Sequence, residues 1–336
     1  MREKIVLGLS GGVDSAVAAR LLLEQGYDVT GVYLDIGQGG SGADDARAVA
    51  GSIGIPFAVR PIADELERHV CAPFAADYLA GRTPLPCARC NPLVKFPSLL
   101  AEAERIGAVW VATGHYARAV DGGLYRGKPS NDQSYLLARL PREILQKVIF
   151  PLGDYEKNAV RALAEGYGIP VAHKPDSMEI CFVPNDDYAA WLFERGAAAP
   201  PGDFIDSQGN VLGRHKGIHC YTLGQRRGLG VSGPHRYFVS AIDPERNTVT
   251  LSDGNDLGRT EVLCARPNWL TDAPPAQPFC CQVRLRHSRR ADVVTVTPEE
   301  DGRVVIRSET PLRAPTPGQL AVFYGGERVL GSAWIL

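Results

Sequence analysis

The stretch at residues 4–26, KIVLGLSGGVDSAVAARLLLEQG, predicts the fold of the first half of the chain. The apolar run Lys4–Leu9 is typical of a buried strand, and Ser15–Gln25 has the apolar spacing of a helix that stops at Gly26. Between them lies the turn SGGVDS, residues 10–15. A strand that passes directly through a glycine-rich turn into a helix indicates the first βαβ unit of a parallel sheet.

The turn at residues 10–15 has the chemistry of a phosphate-binding loop. A helix N-terminus presents unpaired N–H groups and a positive dipole end, and paired glycines let the backbone approach an anion closely. Ser10 and Ser15 add hydroxyl donors, whereas Asp14 suits a Mg²⁺-linked or loop-shaping role. The loop lacks the Walker lysine and is not a dinucleotide-binding turn. The structural alternative is a glycine-rich turn with a Ser/Asp helix cap.

The rest of the first half alternates short apolar runs with amphipathic helices. This alternation predicts an α/β, Rossmann-like domain with a parallel sheet covered on both faces. The predicted strands are Lys4–Leu9, Asp28–Asp35, Pro56–Arg60, Val109–Thr113 and a short one at Val171, and the predicted helices are Ser15–Gln25, Asp44–Ile53, Phe96–Ile106 and Lys157–Tyr167.

After about residue 190 the pattern becomes one of short alternating runs separated by turns, which is typical of antiparallel β structure. An Ala/Pro/Gly-rich linker at Ala197–Gly202 and a Pro-rich stretch at Asn268–Pro278 indicate boundaries. We therefore expect a catalytic domain over 1–196, a β-rich module over 197–262 and a small β-barrel over 263–336. The predicted strands here are Tyr237–Ile242, Thr248–Leu251, Phe279–Leu285, Asp292–Val296, Val304–Ser308, Leu320–Tyr324 and Val329–Ile335.

The composition is that of an ordinary globular protein without a membrane segment. The 336 residues include 36 Lys and Arg against 38 Asp and Glu, so a nucleic-acid partner would require local basic patches. No apolar run approaches the ~20 residues that span a bilayer, and the N-terminus lacks the features of a signal peptide. We expect a cytoplasmic protein.

Eight cysteines in such a chain are more often free, metal-binding or catalytic than paired in disulfides. Only Cys87 and Cys90 form a C-x-x-C pair, while the adjacent Cys280 and Cys281 lie in a strand-like run. Taken alone, the pair has two further interpretations. It could be a redox pair, or half of a zinc site completed by His115 or His173.

The SGGVDS loop resembles that of the N-type ATP pyrophosphatases, which hold the pyrophosphate of ATP while the α-phosphorus is attacked. Further motifs make almost the whole chain, from about residue 4 to 335, resemble the bacterial tRNA-specific 2-thiouridylases. These motifs are TPLPCARCN (83–91), GHY (114–116), DQSY (132–135), DSMEICF (176–182) and LGQRRGLG (223–230). That family thiolates C2 of the wobble uridine: ATP adenylates the C2 oxygen, sulfur replaces it, and AMP leaves.

The resemblance implies roles for individual residues. Cys90 matches the nucleophilic cysteine, and Cys181 matches the cysteine that receives persulfide sulfur. The sulfur donor of the reaction could be sulfide or a persulfide-carrying protein. The ATP contacts implied are Gly8, Leu9, Ser10, Gly11, Gly12, Val13, Asp14, Ser15, Leu34 and Gly114. The tRNA contacts implied are His115, Asp132, Gln133, Ser134 and Gln319, and we add Arg286 from a basic cluster at Arg284–Arg290 that resembles a phosphate-backbone footprint.

Cys87 departs from the family pattern, since well-known members have aspartate there. A third cysteine creates a soft-ligand set that suits a [4Fe–4S] cluster with one iron open to sulfide or substrate, as in some related tRNA thiolases. We therefore favour a cluster held by Cys87, Cys90 and Cys181 over a Cys90/Cys181 persulfide relay. A Cys90–Cys181 disulfide is compatible with either mechanism.

Two other functions remain open from the sequence. A different ATP pyrophosphatase would adenylate a small carboxylate or amide, although no glutaminase domain is evident and the second half is basic in places. A non-catalytic RNA-binding or redox protein would not bind ATP at residues 10–15.

Overall fold

The computed structural model describes residues 2–39, 41–172, 174, 180–233, 235–287 and 291–336. The strands are β1 (Lys4–Gly8), β2 (Asp28–Asp35), β3 (Phe57–Pro61), β4 (Trp110–Thr113), β5 (Ala117–Val120), β6 (Gly123–Arg126), β7 (Val148–Ile149), β8 (Gly202–Ile205), β9 (Val211–His215), β10 (Phe238–Asp243), β11 (Thr248–Ser252), β12 (Gly258–Trp269), β13 (Phe279–Arg284), β14 (Asp292–Pro298), β15 (Val304–Arg313), β16 (Leu320–Gly325) and β17 (Arg328–Ile335). The α-helices are α1 (Val13–Glu24), α2 (Gly42–Ile53), α3 (Ala63–Leu66), α4 (Ala72–Leu79), α5 (Pro86–Cys90), α6 (Phe96–Ile106), α7 (Ser134–Leu137), α8 (Arg142–Leu145), α9 (Lys157–Gly166) and α10 (Tyr188–Glu194).

The first domain is built on a five-stranded parallel sheet in the order β3-β2-β1-β4-β7, which confirms the predicted Rossmann-like α/β fold. Ile5, Val6 and Leu7 of the central strand β1 are fully buried, as expected for a strand covered on both faces. The strand predicted at Val171 is wrong: this residue lies in a turn, and β7 occupies the edge of the sheet beside β4. The sheet places the ends of β1, β2 and β4 along one edge.

Two helical arms carry the cysteine region, and of their helices the sequence predicted only α6. The first runs through α3 and α4, and the second through α5 and α6; each contains one π-helical turn, at Glu67–Cys71 and Asn91–Lys95 respectively. π-helical turns inside helices occur frequently at functional sites. Cys90 ends α5 and leads directly into the second of them.

The second module is a four-stranded sheet in the order β10-β11-β8-β9. Its strand β11 pairs in parallel with β8 and antiparallel with β10, and Phe204, Val239 and Val249 form its small core. The β structure predicted for the second half of the chain is present, but β8, β9 and β12 were not predicted, and the β8–β11 pair is parallel rather than antiparallel. The glycine-rich loop at residues 222–230 lies within this module, between β9 and β10.

The third module is a closed barrel of six antiparallel strands, because β12 pairs with both β15 and β17. The expected boundary at 262/263 falls inside β12, whose pairing with β15 already begins at Gly258. The hairpin β5–β6 of the first domain joins this barrel at Arg328 of β17, opposite Tyr125. Among the described residues, no helix is long and apolar enough to cross a membrane.

Candidate active site

The loop at residues 10–15 links β1 to α1 and is held in shape by its own serines. Ser15 Oγ accepts a hydrogen bond from the Ser10 backbone N–H at 3.2 Å and donates to the Gly12 carbonyl at 3.1 Å. The Ser10 and Ser15 hydroxyls lie 3.2 Å apart. The opening turn of α1 therefore faces the loop at the carboxyl edge of the sheet, which is the arrangement predicted for phosphate binding.

Two glycines allow close backbone approaches around this loop. Gly11 has a φ of +74°, and a Cβ there would lie 2.8 Å from the Asp45 Cβ. A Cβ on Gly114, which follows β4, would lie 3.0 Å from the Asp14 carbonyl carbon and the Ser15 nitrogen. Gly114 and the loop are therefore neighbours, as the sequence predicted; Gly8, Leu9 and Val13 lie in the same strand–turn–helix, and Leu34 lies near the end of β2.

Asp14 is held by two residues that sequence reasoning missed. Lys157 Nζ lies 2.7 Å from both carboxylate oxygens of Asp14, and the Tyr116 hydroxyl donates to one of them at 2.7 Å. Lys157 is the first residue of α9, a position where the helix dipole disfavours a cation. This unfavourable placement of a lysine was the feature of the sequence that could have indicated a nearby carboxylate or phosphate. A Mg²⁺ ion at Asp14 would have to displace the Lys157 ammonium, so this arrangement does not itself provide a vacant carboxylate for the ion.

The three candidate cysteines occupy one region of the first domain. Cys87 is exposed in α5, and Cys90 is half-buried at the end of the same helix. Burial raises the pKa of Cys90, partly offset by the Lys95 ammonium. Cys181 is accessible at the surface, but surrounding protein atoms raise its pKa to about 11, with the Cys90 sulfur contributing. Its segment is fixed beside β2 by Gln38 Nε2, which donates to the Phe182 carbonyl at 2.5 Å.

All three thiols are free, and each lies within electrostatic range of the others. Within the described ranges, no three Cys, His, Asp or Glu side chains are arranged to hold a metal ion. The zinc interpretation is therefore not supported by His115, and His173 lies outside the described residues.

Lys95, His115 and Tyr33 lie in the region of the cysteines and the phosphate loop. The Lys95 ammonium is within electrostatic range of Cys90, Cys181 and His115. Burial, together with Lys95, holds the pKa of His115 well below its usual range, so the imidazole is neutral near pH 7; its Nδ1 lies 2.7 Å from the Thr113 hydroxyl. Tyr33 lies near Cys181, Asp35 and Asp45. Burial is the main cause of its raised pKa, and the two carboxylates and the thiol contribute in the same direction.

The predicted tRNA-contact loop lies at the junction between the first domain and the barrel. Asp132 forms a buried ion pair with Arg284 at 2.5 Å, and the two side chains are 7% and 5% exposed. Ser134 is fully buried beside the Tyr324 hydroxyl at 3.2 Å, and Gln133 Oε1 accepts from the Tyr116 backbone N–H at 3.0 Å. In this structure these residues make internal contacts, so their role as direct tRNA contacts stays a prediction.

Arg286 and Gln319 also make internal contacts. Arg286 Nη2 donates to the Leu223 carbonyl at 2.7 Å and to the Thr316 hydroxyl at 2.6 Å, joining the second module to the barrel. Gln319 Nε2 donates to the carbonyls of Thr83 and Pro84, just before the C-x-x-C pair. Arg289 and Arg290 of the basic cluster lie outside the described residues, as does the segment 175–179 that precedes Cys181.

Family models match the three parts of the chain. Residues 3–185 match a tRNA methyl transferase HUP domain, residues 191–253 a tRNA methyl transferase PRC-barrel domain, and residues 259–335 an aminomethyltransferase beta-barrel domain. The fold and the site together define a nucleotide-binding Rossmann-like domain joined to two β modules.

Full-length relatives identify the family more closely. The tRNA-specific 2-thiouridylase MnmA of Acidithiobacillus ferrooxidans is 43% identical over 99% of this chain and 98% of its own. Those of Heliobacterium modesticaldum and Clostridium perfringens are 41% and 42% identical over 100% and 99% of this chain, and over 93% and 98% of their own. The chain belongs to the tRNA-specific 2-thiouridylase family, as its motifs predicted.

Solved structures give more distant similarities. A 4-thiouridine synthetase in complex with RNA and ATP is 21% identical, with a TM-score of 0.36, covering 52% of this chain and 43% of its own. The NMN synthetase of Francisella tularensis is 22% identical, with a TM-score of 0.37, covering 52% and 67%.

Proposed function

We propose that this chain is an ATP-dependent tRNA-uridine 2-sulfurtransferase, which adenylates the C2 oxygen of the wobble uridine and replaces that oxygen with sulfur. The observation that carries the proposal is the combination of one phosphate loop with three free thiols that lie within electrostatic range of one another. Tyr33 of β2 lies near both Cys181 and Asp45, and Asp45 adjoins Gly11 of the loop. Full-length similarity to proteins named tRNA-specific 2-thiouridylase supports the substrate.

In the adenylation step, the N-terminal turn of α1 binds the phosphates of ATP. Ser10 and Ser15 supply hydroxyl donors, and Lys157 adds a positive charge beside them. The C2 oxygen of the uridine attacks the α-phosphorus, and the bond to the β-phosphate breaks, releasing pyrophosphate. We propose that Lys157 turns from Asp14 toward the phosphates when ATP binds, because an ammonium ion and a carboxylate would otherwise neutralise each other there. This movement would also free Asp14 for Mg²⁺.

In the sulfur step, the bond between C2 and the adenylated oxygen breaks, a C2–S bond forms, and the oxygen leaves with AMP. Sulfur that arrives as sulfide needs no redox change. Sulfur that arrives as a persulfide on Cys181 needs two electrons, which Cys90 supplies by attacking the Cys181 sulfur to give a Cys90–Cys181 disulfide. An external thiol reductant then restores both thiols.

We further propose that Cys87, Cys90 and Cys181 hold a [4Fe–4S] cluster. When bound, such a cluster would supply an iron open to exogenous sulfide. The presence of a thiol at Cys87, exposed next to the half-buried Cys90, supports this proposal over the two-cysteine relay. The neutral imidazole of His115, beside Lys95, is placed to donate or accept a hydrogen bond near the target base without adding charge.

Two of the matching family models are named for tRNA methyl transfer, but the site does not favour that reaction. Free thiols beside a phosphate loop suit activation by ATP followed by sulfur transfer, and the relatives that match the whole chain are named for thiolation.

The test is the product of ATP cleavage and its dependence on tRNA. Wild-type protein, sulfide, unmodified tRNA and ATP should give AMP and pyrophosphate only when the tRNA carries the wobble uridine, and without sulfide only pyrophosphate should be released. Cys280→Ala, a matched control in the barrel, should behave as wild type. Pyrophosphate release at the same rate without tRNA would instead favour adenylation of a small carboxylate or amide.

A further inference from the structure

The segment that carries the C-x-x-C pair is fastened to the barrel rather than to its own domain alone. Thr83 donates its backbone N–H to the Pro317 carbonyl at 2.9 Å, and its own carbonyl accepts from Gln319 Nε2 at 3.0 Å. The same amide group lies 3.3 Å from the Pro84 carbonyl. These bonds fix the chain just before Cys87.

The barrel side of this contact is rigid. The Gln319 carbonyl accepts from the Ile335 N–H at 2.9 Å, and the Ile335 carbonyl accepts from the Gly318 N–H at 3.1 Å. Gly318 has a φ of +89°, and a Cβ there would lie 2.8 Å from the Thr83 carbonyl oxygen, so only glycine permits this approach. The amide of Gln319 is therefore presented from a strand-anchored turn.

A second barrel contact lies between the two cysteines of the motif. The Arg89 guanidinium lies 5.4 Å from the centre of the Trp334 ring in β17 and 3.3 Å from an oxygen of Asp77, whose side chain is 9% exposed. The cysteine segment is thus held on both sides of Cys87, at Thr83–Pro84 and at Arg89. The second module contributes as well, since the Thr83 and Thr222 hydroxyls lie 3.1 Å apart.

We propose that Gln319 is a positioning residue for the sulfur chemistry: its amide holds the backbone at Thr83 and Pro84 so that Cys87 and Cys90 stay in their reactive arrangement. Cys87 is exposed, so without such anchors the chain just before it would be free to move. The proposal rests on the proposed function for the measurement of activity alone. The labelling measurement does not depend on it.

The experiment compares full-length wild type, Gln319→Met, Gln319→Glu and Gln277→Ala. Methionine keeps the length of the side chain without its donors, and glutamate places an acceptor against two carbonyls. Gln277 is an exposed glutamine of the same barrel and serves as the control. The first readout, made without tRNA, is the rate at which iodoacetamide labels each cysteine, measured by peptide mass spectrometry.

Labelling of Cys87 and Cys90 should accelerate about fivefold or more in both Gln319 variants, because a hydrogen bond of this kind contributes roughly tenfold to a local equilibrium. Labelling of the exposed Cys280 should not change, and Gln277→Ala should match wild type. Unchanged labelling of Cys87 and Cys90 in both Gln319 variants would overturn the proposal.

The second readout is the single-turnover thiolation rate at saturating tRNA. It should fall about fivefold or more in the Gln319 variants while the dissociation constant for tRNA stays within about twofold. A weaker tRNA affinity with unchanged labelling and an unchanged saturated rate would make Gln319 an RNA contact and overturn the proposal. If no protein thiolates tRNA but labelling still accelerates, the proposed function fails and the positioning role stands.

Discussion

The contacts of Lys157 change the interpretation of the phosphate loop more than those of any other residue. The sequence favoured a Mg²⁺-linked or loop-shaping role for Asp14, and the structure pairs both of its oxygens with the Lys157 ammonium at 2.7 Å. The loop itself was predictable from its letters, because a strand, two glycines and a helix start leave little freedom. The contact of Lys157 with Asp14 was harder to predict, since the two residues lie 143 positions apart and only the unfavourable place of Lys157 at the start of α9 set it apart.

Replacing Lys157 should weaken ATP binding. We expect Lys157→Ala to raise the dissociation constant for ATP about tenfold or more, because a charge-assisted hydrogen bond to phosphate contributes roughly 1.5–3 kcal/mol. Isothermal titration calorimetry measures the effect. Asn158→Ala, an exposed neighbour in α9, is the control and should bind ATP as wild type. Equal affinities of both variants for ATP would show that Lys157 holds Asp14 in place and does not contact ATP.

His115 predicts a pH dependence of stability. Its pKa is lowered by burial, so the unfolded chain binds a proton more readily than the folded protein does. The stabilisation from the neutral imidazole is therefore complete above the unfolded pKa of about 6.5 and decreases as the pH falls toward the lower folded pKa. His215, His219 and His287 also have lowered pKa values and act in the same direction.

The change to test this is His115→Asn, which cannot titrate. Urea unfolding should show a free energy of unfolding that falls between pH 7.5 and pH 5.5 in wild type, and falls less steeply in the variant. The other three histidines should leave a residual slope in both proteins. Identical slopes would mean that His115 is solvated and titrates normally.

The three cysteines make a prediction about metal content. Anaerobically purified protein should contain iron and acid-labile sulfide and absorb near ~400 nm, as expected for iron–sulfur ligation. Cys87→Ala, Cys90→Ala and Cys181→Ala should each lose both, whereas Cys280→Ala should keep them. A colourless anaerobic preparation that is fully active would favour the persulfide relay.

At the scale of elements, burial decided which strands and helices the sequence could predict. β2 and α6 have the predicted bounds because their apolar spacing is regular and one face, or both, is buried. The arm through α3 and α4 was missed, and its π-helical turn at Glu67–Cys71 interrupts the helical period. The hairpin β5–β6 was missed because its partner, β17, is remote in sequence.

The junction between elements also carries a stability prediction. Asp132 and Arg284 are buried together, and Asp132 additionally accepts from the backbone N–H groups of Gly127 and Ser134 at 3.1 and 2.9 Å. Asp132→Asn should lower the free energy of unfolding by about 3 kcal/mol, since it leaves a buried guanidinium without a counter-charge. Urea denaturation provides the measurement.

An exposed ion pair supplies the comparison. Glu261 and Arg307 pair across β12 and β15 with 60% and 55% of their side chains exposed, so Glu261→Gln should leave the stability nearly unchanged. If Asp132→Asn is as stable as Glu261→Gln but binds tRNA more weakly, Asp132 is an RNA contact rather than a structural residue.

At the scale of the whole molecule, the sequence predicted the three kinds of module but not how they meet. The motifs along the chain located the phosphate loop and the cysteines. They could not indicate that Gln319 reaches the carbonyls of Thr83 and Pro84, or that Arg286 joins the barrel to the second module, because such contacts depend on tertiary packing. Both residues were predicted as tRNA contacts, and both lie at junctions.

The central claim is that one chain activates a tRNA uridine with ATP and exchanges its C2 oxygen for sulfur. The most direct measurement is nucleoside mass spectrometry after anaerobic incubation of the protein with ATP, Mg²⁺, sulfide and unmodified tRNA. We expect 2-thiouridine at the wobble position, formed in proportion to AMP. It should be absent with Cys90→Ala. Protein that binds ATP and tRNA but yields no 2-thiouridine with either sulfide or a persulfide donor would contradict it.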